Sequence, residues 1–145
     1  MPSEPIDIQM PSGVFESRIE LRWGDMDSLH HVNNTLYFRY FEEARVRLFA
    51  RMHPDGFSQR ALVLAHTSCD FLKPLLYPAS VIVGLKRART GRSSMELDGW
   101  IVDAEDRQCV HARSRNVLVC VDVRTQRPVP WTPDELQALQ GCFSE

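Results

Sequence analysis

Residues 23–51 read W-G-D-M-D-S-L-H-H-V-N-N-T-L-Y-F-R-Y-F-E-E-A-R-V-R-L-F-A-R, a polar loop that runs into one long amphipathic stretch. Leu36 and Tyr37, Tyr40 and Phe41, Ala44 and then Leu48 recur at three- and four-residue steps. That spacing draws a wide apolar stripe down one side of a helix. Asn34 is the expected N-cap, because its side-chain oxygen can accept from an otherwise orphaned backbone N–H. Glu43 and Arg47 stand four apart on the outer face, and Arg45, Arg47 and Arg51 gather toward the C-terminal end, as the helix dipole favours. His53-Pro54-Asp55-Gly56 stops the helix. Just before it, two carboxylates, two histidines and two asparagines crowd against its start.

Outward from this segment almost everything reads as strand. Phe15 to Trp23 alternates, with Ile19, Leu21 and Trp23 on one face and Arg18, Glu20 and Arg22 on the other, a half-buried strand ended by Gly24. Ala61 to Leu72 is a second run, closed off by Pro74 and Pro78. Val81, Val83 and Leu85 begin a third that turns at Thr90-Gly91-Arg92. Met95, Leu97 and Ile101 continue into a fourth, turning at Glu105-Asp106. Gln108 to Val123 is the longest, and its unbroken apolar run from Val117 to Val121 fits a central strand. Short turns join the last three as an antiparallel meander. Thr132-Pro133-Asp134-Glu135 is a capping box with proline at the first helical position, which predicts a short helix over 132–140. Residues 1–13, with Pro2, Pro5 and Pro11, read as an extended arm. The order strand, long helix, then at least four antiparallel strands is satisfied by an α+β fold: one curved sheet wrapped around a single central helix.

The chain has 145 residues, 43% hydrophobic and 25% charged, which suits one globular domain spanning 1–145. A net charge of −2 argues against general nucleic-acid binding while leaving room for a local basic patch. Cys69, Cys109, Cys120 and Cys142 form no C-x-x-C pair, which favours reduced thiols in a cytoplasmic protein over a disulfide framework or a zinc site. No apolar run approaches a membrane span and no signal peptide is evident.

The loop before the helix can be read in two ways. Asp and Asn there can simply cap and turn, and His30 and His31 can be exposed loop residues. A metal site from Asp25, Asp27, His30 and His31 is disfavoured, since adjacent histidines rarely ligate one ion without strain. A serine or cysteine nucleophile has no support, and there is no G-x-S-x-G elbow. Against the structural reading stands chemistry. A helix start offers unpaired N–H groups and about +0.5 of a charge, which polarises a carbonyl and stabilises an oxyanion. A carboxylate a few residues earlier can reach the same carbon as nucleophile or as base on a water. Those are the minimum parts for acyl transfer.

The run from Trp23 to Arg45 resembles the signature of the hotdog-fold acyl-CoA thioesterases of the 4-hydroxybenzoyl-CoA thioesterase type, approximately D-x-D-x-x-G-H-V-N-N-x-x-Y-x-x-Y-x-E-x-A-R. The likeness continues in D-F-L-K-P (70–74), R-T-G-R-S-S (89–94) and V-D-V-R-T-Q-R-P-V-P (121–130), so it covers most of the chain in order. The resemblance implies a hotdog fold and hydrolysis of an acyl-CoA to a free acid and CoA, with CoA as part of the substrate and neither a cofactor nor a metal. It places the catalytic carboxylate at Asp27, the polarising helix amide at or next to Asn34, and a loop-ordering histidine at His31. His30 occupies the usual glycine position, which implies strain there if that position needs positive φ. A non-catalytic hotdog module binding acyl-CoA or acyl-carrier protein is the alternative, and a hydratase or dehydratase fits the D-x-D motif less well.

Lys86, Arg87, Arg89 and Arg92 fall within seven residues that contain no acid. They are either a solvated hairpin end or a phosphate clamp for CoA, since arginine pairs well with phosphate oxygens. Arg113 and Arg115 can join them or decorate the outer face. Trp23, Tyr37, Tyr40, Phe41, Phe71 and Trp100 read as core or interface residues. One sheet over one helix leaves an edge strand uncovered, and pairing two sheets edge to edge would cover it. The resemblance likewise implies a homodimer or homotetramer with the cleft between subunits.

Overall fold

The computed structural model describes residues 9–54 and 59–143. Strand β1 (Phe15–Glu20) is followed by the long helix α1 (Asn34–Met52), then β2 (Arg60–Phe71), β3 (Ser80–Thr90), β4 (Ser94–Asp103), β5 (Val110–Asp122) and a closing helix α2 (Pro133–Cys142). The five strands make one antiparallel sheet in the order β1-β3-β4-β5-β2. Helix α1 lies on its inner face, which is the hotdog arrangement.

The apolar stripe behaves as its spacing predicts. Tyr37, Phe41, Ala44 and Leu48 are no more than 1% exposed and pack on Val83, Leu85, Leu97, Ile101 and Leu118 of the sheet. Gly99 lets the helix come this close, because a Cβ there would stand 2.7 Å from Phe41 Cε1. On the outer face Ile82, Trp100, Val102 and Val110 form a second, smaller cluster, and Met10 and Val14 of the N-terminal arm pack on it. The arm's first eight residues lie outside the described ones.

Four details differ from the sequence reading. The β1 strand ends at Glu20, and Trp23 enters a short 3-10 turn (Trp23–Asp25) where it is 77% exposed. Alternation placed it with Ile19 and Leu21, but the chain leaves the sheet before the pattern completes. The cap of α1 is Asn33, whose side chain accepts from Thr35 N at 2.9 Å, so Asn34 is the first helical residue. Helix α2 runs two residues further than expected, to Cys142. The central strand is β4, whereas β5 stands next to the edge, which β2 occupies.

Glu135 fastens the C-terminal helix. Its carboxylate caps α2 through Thr132 N (2.8 Å), pairs with Arg60 (2.7 Å) and meets His53 Nε2 at 2.8 Å, while its side chain is only 3% exposed. Burial alone would raise the Glu135 pKa, but the Thr132 amide, Arg60 and His53 outweigh it and hold the carboxyl below its usual range. One side chain thereby joins the end of α1, the start of β2 and the start of α2. Among the described residues no helix is long and apolar enough to cross a membrane.

Candidate active site

The two aspartates of W-G-D-M-D have separate duties. Asp25 is buried, 6% exposed, and its carboxylate accepts from Tyr40 OH at 2.7 Å and Arg22 N at 3.2 Å, with Arg22 Nε 3.5 Å away. Its backbone carbonyl accepts from Asn33 N at 3.1 Å. Burial, then the Asp25 carboxylate, pushes the Tyr40 hydroxyl well above the usual tyrosine range, so Tyr40 remains a donor. Asp25 thus ties the loop to the second turn of α1.

Asp27 is half-buried and turns the loop on itself. Its Oδ1 accepts from Leu29 N at 2.9 Å, its N–H donates to His31 O at 2.7 Å, and its carbonyl accepts from His30 N at 3.0 Å. Its other oxygen, Oδ2, accepts no hydrogen bond among the described residues. His30 stands at φ 62°, so the expected left-handed position is real and is filled by histidine. Val32 N then donates to Leu75 O at 2.9 Å and pins the loop's far end to the segment after β2.

The start of α1 has four N–H groups with no partner one helical turn back. Asn33 Oδ1 takes that of Thr35, and Asn33 O takes that of Leu36 at 2.9 Å. Asn34 N makes no hydrogen bond among the described residues. Beside it opens a cleft of about 220 Å³, walled by His31, Asn34, Tyr37, Phe71, Leu72 and Lys73 among others. Phe71 stands edge-on to Tyr37, with centroids 5.0 Å apart, and Tyr37 OH donates to Lys73 O at 3.4 Å, so the wall is built by the end of β2. His31 and Asn34 therefore share the cleft wall. Asp27 is not among the residues that line the cleft; its amide is bonded to the carbonyl of His31, which is.

The basic hairpin lies elsewhere. Register places Ile101 beside Ala112 and Ala112 beside Phe71, level with the helix start; Met95 is beside Leu118 and Leu118 beside Leu64. Six residues of strand separate those levels, ~20 Å at about 3.3 Å per residue. Arg87, Arg89 and Arg92 lie at or near the second level, toward the opposite end of the sheet from Asn34 in the same chain, and Lys86, opposite Asp98, stands midway between the levels. Lys86 Nζ donates to Ser12 O at 2.9 Å, and a bulge between Arg87 and Arg89 turns Arg89 toward Glu96. Glu96 pairs with Arg115, whose hydrogen bond, with the Arg115 and Arg89 charges, holds its carboxyl below the usual range. Arg92 receives Trp131 N on its carbonyl at 3.0 Å and keeps an exposed side chain.

Sequence reading missed the roles of Asp25 and Tyr40, whose spacing of fifteen residues is invisible without the fold. It also gave cysteine no histidine partner. Cys109 Sγ lies 3.6 Å from His111 Nε2, and the signal was their two-residue spacing, but neither lines the cleft. Among the described residues no group of three or more His, Cys, Asp or Glu is placed to hold a metal ion.

Comparison with known proteins bears on the chemistry. A family model described as the thioesterase-like superfamily matches residues 21–139. The chain is 38% identical to the PA2801 protein of Pseudomonas aeruginosa, with 86% of this chain and 97% of that one covered and a TM-score of 0.80. A thioesterase from Thermus thermophilus, solved with coenzyme A and zinc, is 29% identical over 90% of this chain and 94% of its own, with a TM-score of 0.77. Among curated sequences, YsmA of Bacillus subtilis is 27% identical over 142 residues, 93% of this chain and 95% of YsmA.

Proposed function

This chain belongs to the thioesterase-like superfamily and is a thioester hydrolase, and we propose that its substrate is an acyl-CoA, attacked at the start of α1. The observation that carries the reading is Asn34 N, an amide there that no described residue engages, at a cleft wall shared with His31. A thioester oxygen bound at that amide gains a hydrogen bond from a positively polarised helix end, and the bond strengthens as the oxygen becomes an oxyanion. Asp27, fixed by its own turn and with Oδ2 unengaged, supplies the carboxylate. It either attacks the carbonyl carbon, expelling the CoA thiolate to leave a mixed anhydride that water opens, or takes a proton from the attacking water. His31 orders the loop through its backbone, and Asp25 with Tyr40 keeps the loop on the helix.

The hairpin enters this reading only across a pair of chains. Strand β2 is a twelve-residue edge carrying exposed Val63, Leu64 and Phe71. Two copies joined antiparallel along β2 would bring the helix start of one level with the hairpin of the other. Arg87 and Arg92 would then face the CoA phosphates in trans, whereas Lys86 and Arg89 stand on the sheet's outer face.

Thiol release from a panel of acyl-CoAs, comparing the parent with Asp27→Ala, tests the assignment. Tight acyl-CoA binding without turnover would replace it with a binding module. Repeated turnover in heavy-oxygen water labels Asp27 only on the anhydride route. Arg87→Glu with Arg92→Glu should raise KM for a CoA thioester far more than for a pantetheine thioester; equal effects would remove the clamp.

A further inference from the structure

Arg45 is the one buried arginine among the described residues. It is 7% exposed, and among the described residues it makes one hydrogen bond, to Asn116 Oδ1 at 3.3 Å, and no ion pair. Asn116 is itself fully buried and already engaged: it accepts from Thr67 Oγ1 at 2.8 Å and donates to Ser114 Oγ and Leu97 O. A guanidinium has five N–H donors, and burying its charge is unfavourable unless they are met; within the chain Glu42, three residues back, favours the charge but forms no ion pair with it, so most of those donors are spare.

The position of Arg45 indicates where the anion comes from. At 100° per residue Phe38, Glu42, Arg45 and Phe49 share one flank of α1. Phe38 meets Phe71 and Phe49 packs near Leu62, so this is the flank toward β2, the unpaired edge. An apolar groove of about 440 Å³ continues it, lined by Phe49, Ala50, Ala61 and Leu62 among others. Along that flank Glu42 is the only carboxylate. It is exposed; among the described residues its one ion pair is a 3.5 Å contact with Arg39, itself exposed, and its charge also acts on Arg45 of the same chain.

Symmetry supplies the match. The middle of β2 is marked by a bulge between Leu64 and His66, and Thr67, one residue beyond it, is the β2 residue on the Arg45–Asn116 network. Helix α1 runs opposite to β2, so the level of the β2 midpoint falls in the turn containing Glu42 and Arg45. A two-fold axis through that midpoint sets this turn against its own copy, where a contact of residue i with j implies j with i. We infer that Arg45 anchors a self-complementary contact between two copies of this chain, its spare donors taking the carboxylate of the partner subunit's Glu42, and reciprocally. The inference rests on the edge-to-edge pairing proposed above and assigns the residues that hold it.

The experiment is a double-mutant cycle on dimer dissociation, measured by sedimentation over a dilution series for the parent, Glu42→Gln, Arg45→Met and the double variant. Each single change should raise the dissociation constant at least about tenfold, and the double variant should be no weaker than the worse single one, because the lost pair is the same. Added salt should weaken the parent dimer more than the Glu42→Gln dimer. Glu42→Gln alters an exposed helix position, so it carries the test even if Arg45→Met does not fold; a dissociation constant unchanged in it overturns the inference. Effects of the two changes that simply multiply would likewise leave Arg45 as an internal prop and the dimer standing. A parent that stays monomeric at every concentration overturns the pairing itself, and with it the inference.

Discussion

Exchanging Asp25 and Asp27 for asparagine, one at a time, should separate stability from turnover. Asp27 makes one side-chain hydrogen bond, to Leu29 N, at an exposed turn, and an asparagine oxygen can keep it. Asp27→Asn should therefore change stability by no more than about 0.5 kcal/mol. Its kcat/KM should fall by ~10²–10⁴, the range for a lost acid–base or nucleophilic group, or about 3–5 kcal/mol in the barrier. Asp25 is the reverse case. Its buried carboxylate holds Tyr40 OH, Arg22 N and the Arg22 guanidinium, and hydrogen bonds to a charged group contribute about 1.5–3 kcal/mol. At about 2–4 °C per kcal/mol for a chain near this size, Asp25→Asn should melt roughly 5–10 °C lower. The folded fraction should retain activity within about tenfold. Melting is read by circular dichroism and hydrolysis by loss of the thioester's ultraviolet absorbance, which avoids thiol reagents that would also label the four cysteines. The division of labour is wrong if Asp27→Asn keeps parental turnover, or if both variants lose stability equally.

Glu135 has a folded pKa below its ordinary value, so its stabilisation is complete above the unfolded pKa of ~4.5 and is lost as pH falls below that through the folded value. Glu135→Gln should cost about 2 kcal/mol at neutral pH, and its melting temperature should fall less steeply than the parent's between pH 5 and 3, as thermal scans in matched buffers would reveal. Gly99→Ala forces a methyl against Phe41 and Ser114 and should cost ~1–3 kcal/mol in urea unfolding. His30→Gly should leave stability within about 0.5 kcal/mol, because relief of the left-handed backbone offsets the glycine's unfolded entropy, whereas the β-branched His30→Val should cost ~1–2 kcal/mol.

Periodicity made the architecture legible. The stripe from Tyr37 to Leu48 and the alternating runs specified one helix and its strands because burial on one face imposes those periods. The α2 capping box was readable since all its partners lie within four residues. Asn33 and Asn34 were not separable, as both side chains can cap and only the chain's entry angle chooses between them. Trp23 was misplaced because alternation does not reveal where hydrogen bonding to β3 ends. The hairpin illustrates the deeper limit. Basic residues adjacent in sequence look like one patch, yet strand alternation and a bulge give Lys86 and Arg89 the outer face, where Lys86 bonds to Ser12 and Arg89 lies across from Glu96. Arg45 was legible only as part of a motif and as a C-terminal charge. Nothing local announces that the helix turns it inward, where neighbours seventy residues away decide its surroundings.

The fastening at Glu135 has a consequence for how the molecule opens. Because one carboxylate serves three segments, the C-terminal helix cannot peel away alone; its release exposes the Arg60 guanidinium and frees the last turn of α1. Amide exchange in α2 should therefore proceed in step with that in the final turn of α1 and the first residues of β2, as a single cooperative unit. Shortening the chain ahead of Thr132 would loosen that whole corner while sparing the distant loop around Asp27.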